Sequence, residues 1–489
     1  MVFSSHLFCF YFLPLALLVY YALPRKGRHL GLTVLSYLFY GWANPAFVFL
    51  MLFSTAVDYF CGLAIAERRV RPPGLASRGA IAPLAKGTTR TRAQKAAVVI
   101  SVCTNLSLLG FFKYFNFAAD SYNSLLALVG LGALQLDAVL RVTLPLGISF
   151  YTFQSMSYSI DVYRGQCAAL SNPIDFACYV SMFPQLVAGP IIRFNEIADQ
   201  LLTRTHTWEK VARGTSFFAL GMAKKILLAN PCGKIADLCF DAGSLTPLDA
   251  WYGVTAYAFQ IYFDFSGYSD MAIGLGLMLG FVFPKNFDSP YKSRSIAEFW
   301  RRWHMSLSRW LRDYLYIPLG GSRQGTARTY VNLAAVMLLG GLWHGASWNF
   351  LIWGGYHGAL LAGERALGRE RATARLPRPV RVALTFFLVL ISWVFFRAAD
   401  LGDAVRYLAC MAGQSEVQPG AGLLAGILYR PYFLLTFAVA AVVVWAGPQT
   451  ADWSRRLTWP KAVASLVLLW LALLAMETQG YNPFIYFIF

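Results

Sequence analysis

Charged residues are scarce in this 489-residue chain, at 13% of the sequence, whereas hydrophobic residues make up 57%. A soluble globular protein carries about a quarter charged residues. The shortage excludes an ordinary soluble enzyme, a disordered chain and a small disulfide-stabilised secreted domain. The composition therefore indicates a polytopic membrane protein.

The usual signatures of cofactor and metal chemistry are also missing. The eight cysteines form no C-x-x-C pair and no His/Cys spacing typical of zinc ligands. There is no G-x-x-x-x-G-K-[ST], no G-x-S-x-G and no H-E-x-x-H. We therefore expect no metal, no bound cofactor and no disulfide framework.

Basic residues exceed acidic ones by 42 to 24. Because they lie between apolar runs, they fit the positive-inside rule better than nucleic-acid binding, and we expect no nucleic-acid partner. The first apolar run, at 7–23, has its basic residues after it, which predicts an uncleaved span with a periplasmic N-terminus. The basic stretches 67–95, 284–328 and 364–381 are then predicted to be cytoplasmic.

Apolar stretches recur along the whole chain, and we predict a single membrane domain over 1–489. It divides into N-terminal helices at 1–140, a motif-bearing core at 141–365 and C-terminal helices at 366–489. Some stretches are short or broken by Gly and Pro, and such breaks at membrane depth occur only inside protein or beside water. The stretches at 250–283 and 330–363 are each long enough for two segments.

Polar residues concentrate in residues 258–271, which carry Asp264, Tyr268 and Asp270 in an apolar context. Asp264 and Tyr268 would share a helix face, unless Gly267 interrupts the helix. Ionisable residues inside a membrane are costly and are therefore candidates for function. Two interpretations stay open: a polar seam between helices, or the lining of a substrate site.

Residues 298–314 place aromatic and arginine side chains on opposite faces of a helix. The first face holds Trp300, Trp303, Leu307, Trp310 and Tyr314, and the second holds Arg301, Arg302, Arg309 and Arg312. We expect one amphipathic helix at the membrane interface, with Trp rings at headgroup depth. A surface anchor does not need a histidine, so His304 indicates function instead.

A second histidine, His344, lies in an apolar stretch between Trp343 and Gly345. Imidazole titrates near neutral pH, so it can accept and return a proton, and flanking glycines let a substrate approach closely. His344 is therefore the first candidate for a catalytic group. The other isolated polar residues are interpreted as structural, with His357 structural or cavity-lining: Asp58, Asp161, Asp175 and His357.

Six longer motifs follow one another between residues 145 and 346. They are Pro145-Leu-Gly-Ile-Ser-Phe-Tyr-Thr-Phe-Gln, Phe183-Pro-Gln-Leu-Val-Ala-Gly-Pro, Tyr262-Phe-Asp-Phe-Ser-Gly-Tyr-Ser-Asp-Met-Ala-Ile-Gly, Phe299-Trp-Arg-Arg-Trp-His-Met-Ser-Leu-Ser, Trp310-Leu-Arg-Asp-Tyr-Leu-Tyr and Gly340-Gly-Leu-Trp-His-Gly-Ala. With these motifs, the chain resembles the membrane-bound O-acyltransferase superfamily and, within it, the bacterial members that O-acetylate alginate. Residues 366–489 are generic.

The resemblance implies an all-α ring of about 11–13 transmembrane and re-entrant helices around a central tunnel. It implies that His344 is essential and that His304, about forty residues upstream, is the second catalytic residue. Acetyl-CoA would be the donor on the cytoplasmic side of a bacterial inner membrane. The acetyl group would leave outward to a periplasmic acetyltransferase protein or to an exported polysaccharide, with alginate as the first candidate.

The residues suggest how such a transfer would proceed. His344 would act as general base on the acceptor hydroxyl or form a transient acetyl-imidazole, and His304 would orient it or polarise the thioester carbonyl. The arginines would hold the CoA phosphates by charge-assisted hydrogen bonds. Further substrate-contact candidates are Trp303, Asp264, Tyr268 and Asp270.

Three alternatives remain. One is acyl transfer to another cell-envelope polymer: acetylation of cellulose or peptidoglycan, or D-alanyl transfer to teichoic acid. The second is a polysaccharide exporter or flippase without chemistry, and the third is a scaffold for other export proteins. Only the enzymes need the imidazole of His344.

Overall fold

The computed structural model describes residues 1–67, 80–81, 83–136, 141–368, 376–415, 417–418 and 421–484. Over these residues the protein is mainly helical and has almost no strand. The basic stretches predicted at 67–95 and 364–381 lie partly outside the described residues. Contacts divide the chain into two compact units, one of residues 1–211 with 276–284 and the other of residues 212–275 with 285–489. The single domain over 1–489 stays a prediction.

The first unit consists of helices and one short antiparallel strand pair, in which Ala80 pairs with Leu170 and Ile81 with Ala169. Its α-helices are Leu13–Ala22, Arg28–Gly41, Ala46–Ile65, Arg92–Leu128, Ile148–Arg164, Pro173–Ser181, Phe183–Leu186 and Phe194–Leu202. A π-helical turn at Leu7–Phe12 and a 3₁₀ turn at Gly132–Leu134 complete it, with strands Ala80–Ile81 and Ala169–Leu170.

Helix Trp208–Ala223 begins in the first unit and continues into the second. The other α-helices of the second unit are Asn230–Phe240, Pro247–Met278, Ile296–Arg302, Met305–Leu311, Thr326–His344, Trp348–Ala366, Arg378–Arg397, Leu401–Met411, Ala421–Leu428, Pro431–Trp445, Thr450–Arg455 and Trp459–Thr478. Lys224–Ala229 and Arg312–Tyr316 are π-helical, and Pro290–Lys292 is a 3₁₀ turn.

Four helices within the described ranges are long and apolar enough to cross a membrane. They are Ala46–Ile65, Arg92–Leu128, Arg378–Arg397 and Trp459–Thr478. Ala421–Leu428 and Pro431–Trp445, bent by 68°, would form a fifth span. The predicted all-α polytopic membrane fold is confirmed, while the number of crossings stays a prediction.

Helix boundaries follow the local sequence at several places. Ile148–Arg164 begins directly after Gly147, whose φ of 75° is a left-handed conformation that glycine adopts without cost. The 37-residue helix Arg92–Leu128 starts with a capping box between Thr91 and Gln94. It is continuous to Leu128 because no Gly or Pro breaks residues 111–128.

The isolated carboxylates of the first unit are hydrogen-bonded interior residues, as predicted. Asp58 accepts from Ser101 Oγ at 2.5 Å and from Asn105 Nδ2 at 2.8 Å. Asp175 Oδ1 lies 2.5 Å from His29 Nδ1, and Asp161 accepts a backbone hydrogen bond. Each carboxylate therefore ties helices together.

The two longest apolar stretches differ. Residues 330–363 form two helices, as expected, whereas the expectation of two segments in 250–283 is wrong, because Pro247–Met278 is continuous. Gly267 does not break it. A Cβ at Gly267 would lie 2.7 Å from the Gly221 carbonyl oxygen, so this glycine permits close approach of two helices.

Candidate functional site

His304 lies at a break between two short helices, Ile296–Arg302 and Met305–Leu311. The single amphipathic helix predicted for 298–314 is therefore wrong. His304 has φ 43° and ψ 54°, a left-handed conformation that is costly for a residue with a Cβ. At this break the imidazole is fully buried.

Asn286 anchors this break. Its backbone carbonyl accepts from Met305 N at 2.8 Å, and its side-chain Oδ1 accepts from Ser306 N at 3.1 Å. Ser306 N is a donor only, so the atom facing it is an oxygen, and His304 Nδ1, 3.2 Å from the same oxygen, must carry the proton. In the neutral ring Nε2 is then the acceptor, and it has no hydrogen-bond partner among the described residues.

His344 is the last residue of helix Thr326–His344 and is also buried. Its ring centroid lies 6.2 Å from that of His304. Aromatic rings surround it, with Trp343, Trp353 and Phe396 at centroid distances of 5.0–5.4 Å. The structure thus brings together the two histidines named from the sequence, in an aromatic cage.

An apolar cavity of about 190 Å³ reaches His344. One wall comes from the His344 helix, a second from the residues around the His304 break, and a third from helix Trp348–Ala366. The lining residues are Trp300, Leu307, Ser308, Leu311, Arg312, Tyr316, Leu333, Val336, Met337, Gly340, His344, Trp353 and Leu361. Arg312 is exposed while His344 is buried, so the cavity connects a surface cation to an internal imidazole.

The four arginines named from the sequence have separate environments. Arg301 and Arg312 are exposed, and Arg312 pairs with Asp313 at 2.7 Å. Arg309 donates to the carbonyls of Met305 and Lys285. Only Arg312 lines the cavity.

Arg302 is held by Glu298, at 2.7 Å. Burial alone would raise the pKa of Glu298, but hydrogen bonds from Arg294 and Arg302 lower it to about 2. This carboxylate is therefore ionised at neutral pH and keeps Arg302 engaged within the protein.

Asp264 and Asp270 of helix Pro247–Met278 form ion pairs. Lys225 Nζ lies 2.7 Å from Asp264 Oδ1, and Lys224 Nζ lies 2.7 Å from Asp270 Oδ2. Thr450 Oγ1 also donates to Asp270, and Tyr268 packs on Phe484. Of the two interpretations of this stretch, the contacts favour the polar seam.

The same helix reaches the histidines through a different face. The Phe265 ring packs against the His304 ring at 4.6 Å, and Ser269 Oγ accepts from Asn286 Nδ2 at 2.9 Å. These residues, with Asn286, were missed by sequence reasoning. The only signal for them in the sequence was a polar residue, Asn286, between two of the motifs.

Trp303 and His357 occupy the aromatic core beside the cavity. Trp303 is 2% exposed and packs on Phe287 and Trp393, so the expected headgroup position for this ring is wrong. His357 Nδ1 accepts from Trp300 Nε1 at 3.3 Å. Trp300 lines the cavity and His357 does not. His357 therefore supports a residue of the cavity wall, which fits the structural role expected from the sequence.

Comparison with known proteins agrees with this architecture. The sequence profile of the membrane-bound O-acyltransferase family matches residues 167–399, a range that includes both histidines. The "probable alginate O-acetylase" of Pseudomonas putida is 44% identical over 512 residues that cover 100% of both chains.

Two other relatives carry different names. The peptidoglycan O-acetyltransferase of Helicobacter pylori is 36% identical over 85% of this chain and 81% of that protein. The teichoic acid D-alanyltransferase of Streptococcus thermophilus is 29% identical over 51% of this chain and 68% of that protein. With likeness over its full length to a named acetylase and an all-helical membrane fold, the chain belongs to the membrane-bound O-acyltransferase family and is a multi-pass O-acyltransferase.

Proposed function

We propose that this enzyme takes acetyl from cytoplasmic acetyl-CoA and passes it across the bacterial inner membrane for O-acetylation of an exported polysaccharide. The observation that carries the proposal is the pair of buried imidazoles, His304 and His344, beside an apolar cavity that extends to Arg312. Acetyl-CoA has a phosphorylated, polar end and a small acyl end. The cavity likewise has a cation, Arg312, at its surface and apolar residues near His344.

In the proposed reaction His344 accepts the proton of an acceptor hydroxyl as its oxygen attacks the thioester carbonyl. The ester C–O bond forms, the C–S bond breaks, and the proton passes from the imidazolium to the leaving thiolate. The two-step alternative forms acetyl-imidazole first and then transfers the acetyl group to the hydroxyl. Both routes give one ester and one CoA thiol.

His304 would act on His344 or on the hydroxyl as a hydrogen-bond acceptor. With its proton on Nδ1, directed at Asn286, the neutral ring offers a lone pair at Nε2. A lone pair can orient an N–H or O–H group, whereas polarising the thioester carbonyl needs a donor. The tautomer therefore supports the orienting role.

The donor's phosphates would meet arginine at the cavity mouth. Arg312 is the best placed of the four predicted arginines, because it is exposed and lines the cavity. Arg301 is exposed and would assist. Arg302 and Arg309, which already bond within the protein, would contribute through the local structure.

Alginate is the first candidate for the polymer. Relatives named for alginate O-acetylation are 43–47% identical over most or all of this chain. Peptidoglycan is the second candidate, supported by the Helicobacter pylori relative. A periplasmic acetyltransferase would receive the acetyl group, and the N-terminus would lie in the periplasm.

The decisive experiment compares His344→Ala with His6→Ala, which removes an exposed histidine, in cells that lack the native gene. The radiolabelled acetate that mild alkali releases from O-acetyl esters of alginate and of peptidoglycan is counted, with membrane insertion checked by immunoblot. We expect His344→Ala to lose about 10²–10⁴-fold of the label and His6→Ala to keep it. Normal labelling by an inserted His344→Ala protein would refute the proposal, and the labelled polymer identifies the acceptor.

A further inference from the structure

Three cationic side chains of the first unit lie around one tyrosine ring. The guanidinium carbons of Arg28 and Arg204 lie 5.3 Å and 5.9 Å from the ring centroid of Tyr20. Arg204 Nε donates to the carbonyl of Leu279 at 3.3 Å, and Lys210 Nζ donates to the next carbonyl along the chain at 3.1 Å. We call Arg28, Arg204 and Lys210 the cation cluster.

Neutral groups hold these cations in place. Arg28 Nε donates to a backbone carbonyl at 3.3 Å, and Lys210 Nζ donates to the carbonyl and the hydroxyl of Thr205, both at 3.0 Å. Among the residues that the structure describes, none of the three cations forms an ion pair with a carboxylate. Like charges that are placed together without a counter-charge repel one another and destabilise the fold.

One carboxylate lies behind the cluster. Asp175 Oδ1 lies 2.5 Å from His29 Nδ1, and His29 Nε2 lies 2.5 Å from Arg204 Nη1. Through this imidazole Asp175 balances at most one of the three positive charges. Glu209, which precedes Lys210, is exposed, so that water screens its charge. The cluster therefore keeps an excess of positive charge.

An imidazole beside the cluster responds to this excess. His206 lies in the loop at 203–207, and its Nε2 lies 2.9 Å from the Tyr20 hydroxyl. Burial lowers the pKa of His206 to about 4, and all three cations of the cluster contribute to the decrease. The positive charges thus act together on one place.

The surroundings of the cluster are those of a membrane interface. Helix Leu13–Ala22 exposes apolar side chains such as Leu18, then the ring of Tyr21, and the exposed cation Arg25 follows it. Trp208, at the start of the next helix, is 88% exposed. Apolar, aromatic and basic side chains follow in this order from the hydrocarbon to the headgroups of a bilayer.

We propose that the cation cluster binds the phosphodiester of an anionic phospholipid, whose acyl chains lie along the exposed apolar face of helix Leu13–Ala22. Phosphate oxygens accept charge-assisted hydrogen bonds from guanidinium and ammonium groups, and they supply the missing counter-charge. A zwitterionic lipid carries its own cation and supplies no net charge. A soluble phosphate has the same oxygens but gains nothing from the apolar face beside the cluster.

The test uses the full-length protein, purified in detergent and freed of lipid. The unfolding temperature is measured during titrations with phosphatidylglycerol, phosphatidylcholine and inorganic phosphate. We expect phosphatidylglycerol to raise it in a saturable manner, because a ligand of the folded state stabilises that state, and the other two to leave it unchanged. Equal stabilisation by both lipids would overturn the proposal. Equal stabilisation by inorganic phosphate would show a site for soluble phosphate and would also overturn it.

A pair of arginine variants separates a defined site from general attraction to the membrane surface. Arg28→Gln should raise the half-saturating concentration of phosphatidylglycerol at least about tenfold, the effect of losing one hydrogen bond to a charged group. The matched control, Arg328→Gln, removes an exposed arginine from the basic stretch 284–328. It should change that concentration by less than about threefold, because an exposed charge contributes little. Equal changes in the two variants would mean diffuse attraction and no site.

A second cluster variant keeps the test informative if Arg28→Gln fails to fold. Lys210→Gln removes a cation from a different helix, Trp208–Ala223, and should weaken the response to phosphatidylglycerol to a similar extent. The unfolding temperature without lipid shows whether each variant is folded. A normal response to phosphatidylglycerol in a folded cluster variant would refute the site.

Discussion

Two polar clusters in the unit of residues 212–275 and 285–489 bury their polar groups in different ways. In the seam on helix Pro247–Met278, Asp264 and Asp270 each have a lysine at 2.7 Å. At the imidazole pair, His304 and His344 are packed among aromatic rings, and His304 Nε2 has no hydrogen-bond partner in the described part of the chain.

The difference reflects the cost of burial. An unpaired buried charge destabilises a protein by several kcal/mol, so a carboxylate in an apolar region is retained with a cation. A neutral imidazole nitrogen without a partner costs about 1–3 kcal/mol, which a stable fold tolerates. The seam therefore stabilises the fold, whereas the imidazole pair keeps an acceptor for chemistry.

The largest expected effect is on activity at His304. His304→Ala should lower the rate of CoA release by about 10²–10⁴-fold, because the buried acceptor is lost. His304→Asn should lose less, since asparagine tolerates the left-handed conformation and offers an amide oxygen. Kinetics with acetyl-CoA in nanodiscs measures both, with His6→Ala as the control.

Thermal unfolding separates the effect of the backbone conformation at residue 304 from the effect of its imidazole on activity. His304→Val should unfold at a lower temperature than His304→Asn, because a β-branched residue at φ 43° is strained. Equal unfolding temperatures for the two variants would show that the break does not require the left-handed conformation. Full activity of His304→Ala would show that the imidazole is not needed for the reaction. The imidazole pair would then differ from the seam in no functional respect.

The second prediction concerns the seam. Lys225→Met should lower the free energy of unfolding by about 3–5 kcal/mol, because Asp264 is left as an uncompensated buried charge. The double variant Lys225→Met/Asp264→Leu should recover most of that loss. Thermal unfolding of the purified protein measures both.

Activity decides between the two interpretations of Asp264. If the double variant is stable and releases CoA at the normal rate, the carboxylate belongs to the seam. If it is stable but inactive, Asp264 contributes to the site, and the distinction between the two clusters fails.

The sequence singled out His304 and His344 as candidates, and the structure brings them together, but their geometry could not be predicted. A histidine among glycines or tryptophans in an apolar chain is unusual in itself, and the surrounding motifs matched a known family. The continuous helix expected for 298–314 followed from a regular spacing of aromatic and basic residues. That spacing carries no information about the left-handed residue that interrupts it at His304.

Long-range polar contacts explain the other differences. Asn286 meets residues 304–306 across about twenty positions of sequence, and Lys225 meets Asp264 from another helix. Neither pairing leaves a periodic signal in either segment. The breaks around Gly147 and Pro184 were predictable, because glycine and proline act on the local backbone.

The third prediction tests the support of His304. Asn286→Ala removes the oxygen that accepts from Ser306 N and fixes the imidazole tautomer. We expect a loss of CoA release of about 10²-fold, since misplacement of a reacting group by about 1 Å has effects of this size. Asn286→Asp, which keeps both acceptor contacts, should retain more activity than Asn286→Ala.

The smallest effect is expected at Trp300, where the cavity wall meets a third histidine. Trp300→Phe keeps a ring in the wall but removes the Nε1–H that His357 Nδ1 accepts at 3.3 Å. One neutral hydrogen bond contributes about 1 kcal/mol, so the unfolding temperature should fall by a few degrees at most. CoA release from acetyl-CoA should change less than about threefold. A loss comparable to that of His304→Ala would mean that His357 takes part in the chemistry together with His304 and His344.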